Sequence, residues 1–167
     1  MEATLAILNE LETSKLVKRY AIGGAMAAFF YSEAVLTEDL DAFVLLDQSA
    51  SGLVSLGPLY EFLRQRGATE EREHLWLAGT LVQLIPAYDA LTEEAVQEAV
   101  SRMVGTTATR VMTVEHLISI ALKTGRNKDQ ARIALLMQEA TVDAAKLSDI
   151  LARHALQARW KALNLPP

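Results

Sequence analysis

The sequence predicts an α+β protein, in which a small mixed β-sheet is flanked by helices and followed by a helical C-terminal part. Short runs rich in β-branched and aromatic residues, bounded by glycine or proline, occur in the first half of the chain. The second half instead shows apolar residues at helical spacing, and the segments do not alternate as regular βαβ repeats. We assign residues 1–110 to an α/β core and residues 111–167 to a helical part packed on it, within a single compact domain.

The elements of the first half follow from apolar patterns and from the residues that interrupt them. A Gly-Gly pair precedes a short apolar helix, and an apolar, β-branched run after two aspartates indicates a central strand. Ala78-Gly79 between two apolar runs is typical of a hairpin turn. The predicted elements are, in order, helix 3–18, helix 25–31, strand 39–46, helix 58–66 and a hairpin of strands 74–77 and 80–85.

The second half is predicted to be helical throughout. Thr92 and Thr113 are candidate N-caps, because a threonine hydroxyl can accept a hydrogen bond from a free N–H of the first turn. Gly125 is expected to end the helix that Thr113 begins, and a corner at 126–129 precedes the next helix. The predicted helices are 93–103, 114–124, one beginning after the 126–129 corner, and 144–162.

Composition excludes several classes of function. The chain has 167 residues, 51% of them hydrophobic, and a net charge of −5. No apolar run approaches the roughly 20 residues that span a bilayer, and no signal peptide is recognised, so we expect a cytoplasmic protein without a membrane partner. The negative charge argues against a broad nucleic-acid-coating surface, although a local basic pocket remains compatible with it.

The residue types available also limit the chemistry. The chain has no cysteine and only three histidines, which excludes disulfides and thiolate chemistry. The histidines are scattered, so His154 is interpreted as a core residue, His74 and His116 lack partners at ligand spacing, and any metal ion is expected to be held by oxygen. Trp76 and Trp160 are interpreted as packing residues.

Asp39 and Asp41 are the candidate metal ligands. Side chains alternate along a strand, so these carboxylates point to the same face, with their Cα atoms roughly 7 Å apart. Two neighbouring carboxylates repel each other unless a cation lies between them. Mg²⁺ accepts one or two carboxylates together with phosphate oxygens and waters. The sequence therefore predicts a site for Mg²⁺ or Mn²⁺ at the start of this strand.

Three motifs in this order resemble the nucleotidyltransferase superfamily: Gly23-Gly24 before a helix, Thr37-Glu-Asp-Leu-Asp41, and Lys123-Thr-Gly-Arg-Asn-Lys-Asp129. Over roughly residues 18–140 the sequence is most similar to the small bacterial nucleotidyltransferases related to abortive-infection, AbiEii-type toxins. The resemblance implies a nucleotidyltransferase, polymerase-beta-like fold that binds a nucleoside triphosphate (NTP).

The same resemblance implies roles for particular residues. Asp39 and Asp41 would be the catalytic metal ligands. The nucleotide would be held by residues of all three motifs, with Lys128 reaching the triphosphate and Asp129 holding the corner; the set is Gly23, Gly24, Thr37, Lys123, Arg126, Lys128 and Asp129. From the residues alone, three alternatives remain open: an ordinary turn at the glycine pair, solvated edge charges at Asp39 and Asp41, and a simple helix cap at Asp129.

Two positions depart from the family pattern. Ala25 stands where a Ser or Thr often follows the glycine pair, so phosphate recognition there would depend on the backbone. Gln83 occupies the position of a third metal carboxylate, and its neutral amide cannot deprotonate an acceptor. Asp89 and Glu73 are the nearest candidates to replace that carboxylate.

The sequence therefore supports two functions. The first is metal-dependent transfer of a nucleoside monophosphate to a hydroxyl of RNA, protein or a small molecule, with a toxin role and a separate antitoxin partner as the family's implication. The second is a catalytically degenerate fold that binds nucleotide or another protein, indicated by Gln83 and Ala25. A purely structural helical protein explains neither the acidic strand start nor the basic corner. The oligomeric state is open, because the apolar side of helix 93–103 suits either this chain or a second copy.

Overall fold

A computed structural model describes residues 1–33, 37–46 and 55–163 and shows strands and helices in the mixed order that the sequence predicts. The strands are β1 (Arg19–Ile22), β2 (Asp39–Leu45), β3 (Thr69–Glu71), β4 (His74–Leu77), β5 (Thr80–Pro86), β6 (Val100–Val104) and β7 (Thr107–Val111). The helices are α1 (Glu2–Thr13), α2 (Gly24–Ala28), α3 (Gly57–Arg64), α4 (Ala90–Gln97), α5 (Val114–Thr124), α6 (Asn127–Glu139), α7 (Ala144–Arg153) and α8 (Gln157–Ala162).

The described strands form one mixed sheet in the order β3-β4-β5-β2-β1-β7-β6. Strand β2 lies at its centre, antiparallel to β1 and parallel to β5. Leu40, Ala42 and Val44 of β2 are fully buried in the core, so the alternate residues Asp39 and Asp41 face the other side of the sheet. The predicted α+β class is confirmed, and β2 presents the two aspartates on one face.

The hairpin of β4 and β5 is also as predicted. Ala78 and Gly79 both have positive φ angles, +47° and +83°. Two positive φ values are typical of the primed turns whose twist matches that of the paired strands. The turn fixes the register in which Leu75 lies opposite Val82.

The predicted helix 93–103 is wrong in both its start and its end. Helix α4 begins after Asp89, whose carboxylate accepts hydrogen bonds from the N–H groups of Leu91 and Thr92. Thr92 is thus the N3 residue of a capping box, and Asp89 is the N-cap. After Gln97 the chain forms strand β6, which pairs with β7 at the edge of the sheet.

Two other helices end earlier than predicted. Helix α1 stops at Thr13 instead of residue 18, and Lys15, with a φ of +56°, turns the chain toward β1. The last helix divides into α7 and α8 at Ala155, whose φ is +55°. Trp76 is 48% exposed, so its interpretation as a packing residue was wrong, whereas Trp160 packs against the core. No helix among the residues described is long and apolar enough to span a membrane.

Helices α4, α5 and α7 meet at Glu94. Its carboxylate bonds to His116 Nε2 at 3.1 Å, His154 Nε2 at 2.9 Å and Arg153 Nη2 at 2.6 Å. These partners hold the pKa of Glu94 at about 2, against the desolvation that opposes them. His116 is fully buried, and Thr113 Oγ1 bonds its other ring nitrogen, so both of its nitrogens have hydrogen-bond partners.

We expect Glu94→Gln to lower the free energy of unfolding by about 2 kcal/mol at pH 7. The pKa of Glu94 is lower in the folded protein than in the unfolded chain, so its stabilisation is present above the unfolded pKa. That stabilisation is lost as the pH falls toward 2. Urea unfolding at several pH values measures the difference between variant and wild type, and a difference independent of pH contradicts the explanation.

Candidate functional site

A cavity of about 770 Å³ lies between the sheet face that carries the two aspartates and the helices that follow β7. Strands β2 and β5 form one wall, and α5 and the start of α6 form the opposite one. The cavity brings together every predicted site residue except Gly23; these are Gly24, Thr37, Asp39, Asp41, Lys123, Arg126, Lys128 and Asp129. Residues that are far apart in the sequence therefore share one site.

The two aspartates at the start of β2 have different environments. Asp39 is fixed from one side, because Thr37 Oγ1 donates a hydrogen bond to its Oδ1. Burial raises the pKa of Asp41 above its ordinary value, and the negative charge of Asp39 raises it further. The positive charges of Arg132 and Lys128 act in the opposite direction. A carboxylate in this position is stabilised by a nearby cation.

Gly24 lies directly against Asp41. Its φ is +59°, and a Cβ added there would be only 2.7 Å from Asp41 Cγ and closer still to Oδ2. Both the backbone angle and the available space thus require glycine. Gly23 lies behind the cavity wall, where its N–H donates to the Asp41 carbonyl at 2.9 Å and its Cα faces Phe43.

The donor atoms of this wall fit a divalent cation. Asp41 pairs in register with Gln83 of the parallel strand β5, so two carboxylates and one side-chain amide line the same cavity. Carboxylates and amide carbonyls are the oxygen ligands preferred by hard divalent ions, and a cation would relieve the repulsion between Asp39 and Asp41. Asp39 and Asp41 are the residues that would hold it.

The opposite wall is cationic. Asp129, at the start of α6, is 1% exposed and accepts hydrogen bonds from the backbone and the guanidinium of Arg126. Arg132 also approaches its other oxygen, at 3.5 Å. These contacts hold the pKa of Asp129 below its ordinary value despite its burial. Lys128 lines the same wall and has no ion-pair partner within the described ranges.

Neither candidate replacement for the third carboxylate is available. Asp89 does line the cavity, but its side chain caps α4 and pairs with Lys123 Nζ at 3.0 Å. The ammonium and the capped N–H groups lower its pKa. Glu73 is exposed in the turn before β4, outside the cavity lining. Gln83 therefore remains the residue beside Asp41, as the sequence predicts.

Three residues near the site were not predicted from the sequence as site residues. Arg132 lines the cavity from the second turn of α6, and Tyr88 lines its edge with 79% of its surface exposed. His74 Nε2 lies 3.9 Å from Asp39 Oδ2. The spacing of Arg132 from Asp129, one helical turn, was the signal that could have identified it.

No protein-family model matches this sequence, and comparison with curated protein sequences gives no significant match. Solved structures do match. The solution structure of the antibiotic-resistance factor ANT(2'')-Ia is 16% identical, with a TM-score of 0.52 over 98% of this chain and 96% of that one. Its crystal structure in complex with adenylyl-2''-tobramycin is 17% identical, with a TM-score of 0.53 over 92% of this chain and 94% of that one.

A third match is a crystal structure of an antigenic nucleotidyltransferase-like protein from Paracoccidioides brasiliensis. It is 14% identical, with a TM-score of 0.54 over 97% of this chain and 90% of that one. At these identities the comparisons concern the fold. The chain has the fold of nucleotidyltransferase-like structures over nearly its whole length.

Proposed function

We propose that this protein is a metal-dependent nucleotidyltransferase that transfers a nucleoside monophosphate from an NTP to a hydroxyl acceptor. The proposal rests on one observation: an acidic wall and a basic wall face each other across one cavity. Asp39 and Asp41 face it from the sheet, and Arg126, Lys128 and Arg132 face it from α6 and its N-terminal corner. Cation-binding carboxylates opposite anion-binding side chains suit a metal-bound triphosphate.

The reaction requires a bond to form between the acceptor oxygen and the α-phosphorus. The bond from the α-phosphorus to the bridging oxygen breaks, pyrophosphate leaves with that electron pair, and the proton of the acceptor hydroxyl passes to a solvent water. A bound divalent ion supplies charge neutralisation and activation of the acceptor hydroxyl. Asp39 and Asp41 would hold that ion, while Lys128 and the two arginines would bind phosphate oxygens and orient the α-phosphorus.

The proposal also covers the class of acceptor and the cellular role of the protein. The resemblance to AbiEii-type toxins supports an RNA or protein acceptor, a separate antitoxin partner and action in the cytoplasm. The fold shared with ANT(2'')-Ia, which has been crystallised with adenylyl-2''-tobramycin, supports adding an aminoglycoside to the acceptors tested. All of these acceptors offer the hydroxyl that the chemistry needs.

Label transfer tests the function directly. The full-length protein is incubated with each α-labelled NTP, with Mg²⁺ or Mn²⁺, and separately with total RNA, cell extract or tobramycin. We expect label to appear on one acceptor with the wild type and on none with the Asp39→Ala/Asp41→Ala variant. Equal labelling by the two proteins contradicts the proposal, as does the absence of any labelling with every acceptor.

The second candidate is a degenerate module that binds a metal-nucleotide complex without transfer. It is favoured by one observation, the neutral Gln83 in register with Asp41. Under this function the wild type binds NTP in the presence of metal, both aspartates are needed for that binding, and no label is transferred.

We expect Gln83→Asp to tighten Mg²⁺ binding about tenfold, because it adds a carboxylate next to Asp41. Isothermal titration with Mg²⁺ measures the change. Gln157→Asp adds the same charge at an exposed position at the start of α8 and is the matched control. Equal Mg²⁺ affinities for the two variants and the wild type show that position 83 does not face the ion. Transfer activity gained only in Gln83→Asp identifies the wild type as the degenerate module.

A further inference from the structure

The candidate cavity has an apolar end next to its acidic wall. Phe43 and Ile85 line the cavity and pair in register on the parallel strands β2 and β5. They follow the register pair of Asp41 and Gln83 by two residues on the same strands. Side chains two residues apart share one face of a sheet, with their Cα atoms roughly 7 Å apart. The sheet wall therefore changes from carboxylates to apolar side chains within one step along the strands.

Helix α5 covers this apolar end from the opposite side. Leu117, Ile120 and Ala121 line the cavity at the i, i+3, i+4 spacing of one helical face. Tyr88, between β5 and α4, lines the edge of the cavity and is mostly exposed. The apolar end thus lies between a sheet and a helix, with an aromatic ring at its edge.

The other polar side chains around the apolar end, among the residues described, already have partners. Asp89 caps α4 and pairs with Lys123 Nζ at 3.0 Å. Thr92 Oγ1 donates a hydrogen bond to the Asp89 carbonyl at 3.0 Å. Thr124 Oγ1 donates to the Ile120 carbonyl at 2.9 Å. A group engaged within the protein must give up that bond to contact a ligand, so this end suits a flat ring that binds through its faces.

We propose that the apolar end binds the nucleobase of the donor NTP, stacked on Tyr88, and that the protein accepts purine and pyrimidine NTPs with similar affinity. The inference rests on the proposed function and names the donor specificity of that same site. The nucleoside is attached directly to the α-phosphate, so a base beside a triphosphate at the acidic wall lies within reach of this end. Stacking tolerates any base, because every base has a π-face.

The chemistry of the apolar end favours the donor base over the acceptor. The proposed acceptors present hydroxyl groups in polar surroundings, and burying such groups against apolar walls costs free energy unless they are hydrogen-bonded. The faces of a nucleobase carry no hydrogen-bonding groups, so stacking removes none from water. Phe43, Leu117 and Ala121 are buried in the core, so the walls are already formed without a ligand.

Comparing NTPs with inorganic tripolyphosphate separates the base from the phosphates. Calorimetry with Mg²⁺ and without acceptor measures binding of ATP, GTP, CTP, UTP and tripolyphosphate to the full-length protein. We expect the four NTPs to bind the wild type within about fivefold of one another. Tyr88→Ala should weaken all four about tenfold and leave tripolyphosphate affinity unchanged.

Two further variants control for the ring and for its position. Tyr88→Phe keeps the aromatic ring and should retain the NTP affinities of the wild type. Phe29→Ala removes an exposed ring that lines a separate cavity and is the matched control, with all affinities unchanged. Circular dichroism and thermal unfolding show that each variant is folded.

The outcomes separate this inference from the proposed function. If Tyr88→Ala binds every NTP as the wild type does, or if the wild type binds only one of the four NTPs, the inference is overturned and the proposed function stands. If Tyr88→Ala loses label transfer but keeps its NTP affinity, Tyr88 contacts the acceptor, and the inference is again overturned. If the wild type binds neither NTP nor tripolyphosphate, both proposals fail.

Discussion

Asp41→Asn should abolish nucleotidyl transfer, lowering its rate at least about a hundredfold, and should leave the protein folded. Charge stabilisation by a bound metal contributes several kcal/mol to such a reaction, and each 1.36 kcal/mol corresponds to about a factor of ten in rate. Asparagine keeps the size of the side chain but removes the charge that would hold the ion. Glu38→Gln removes one charge from an exposed neighbour and is the matched control, with activity retained.

The same variant should be more stable than the wild type when metal is removed by a chelator. Burial and Asp39 raise the pKa of Asp41 in the folded protein above that of the unfolded chain. Such a group favours folding when protonated, so its contribution is lost as the pH rises through the folded pKa. Urea unfolding should therefore show a gain for Asp41→Asn at pH 7 that shrinks on acidification. An active variant, or one that is less stable at pH 7, contradicts the role assigned to Asp41.

Gly24→Ala should combine a loss of stability with a loss of metal binding. Placing alanine at a φ of +59° costs about 1–2 kcal/mol, and the new Cβ would also collide with the Asp41 carboxylate. Displacing that carboxylate should weaken metal affinity at least about tenfold. Thermal unfolding and calorimetric titration with Co²⁺ or Mg²⁺ measure the two effects separately.

Gly79→Ala provides the matched control for this variant. Gly79 has a φ of +83°, but nothing lies within 4 Å of a Cβ added there. The control should show the backbone cost alone, with metal affinity unchanged. If the two variants lose the same stability and both retain metal binding, then the contact between Gly24 and Asp41 does not position the carboxylate.

Sequence patterns predicted the parts of the fold whose signals are local. Strand β2 has a buried apolar side, the β4–β5 hairpin has a turn with glycine, and Gly125 follows the last residue of α5, so periodicity and turn chemistry were enough. The β6–β7 hairpin was missed because β6 is an edge strand with no buried residue, and it continues from a helical segment without a proline or glycine between them. The break between α7 and α8 at Ala155 carries no sequence signal of its own.

Within the candidate site, only the residues that belong to the three sequence motifs could be predicted. The aspartates, the glycine pair and the basic corner could be identified from their residue types and their order. Their meeting in one cavity depends on how α5 and α6 pack against the sheet, which the sequence pattern does not specify. His74 approaches Asp39 through the pairing of β4 with β5, and Asp89 is a helix cap and an ion-pair partner. Both facts follow from register and tertiary contacts.

The bonds of Asp129 also affect the entropy of ligand binding. Arg126 and Arg132 contact its buried carboxylate in the protein as it stands, before any anion reaches the cavity. Ordering a long side chain at a binding surface costs about 0.5–1.5 kcal/mol. Because Asp129 already holds these guanidinium groups, the proposed anionic ligand would meet side chains that are partly ordered. Association should therefore lose little side-chain entropy.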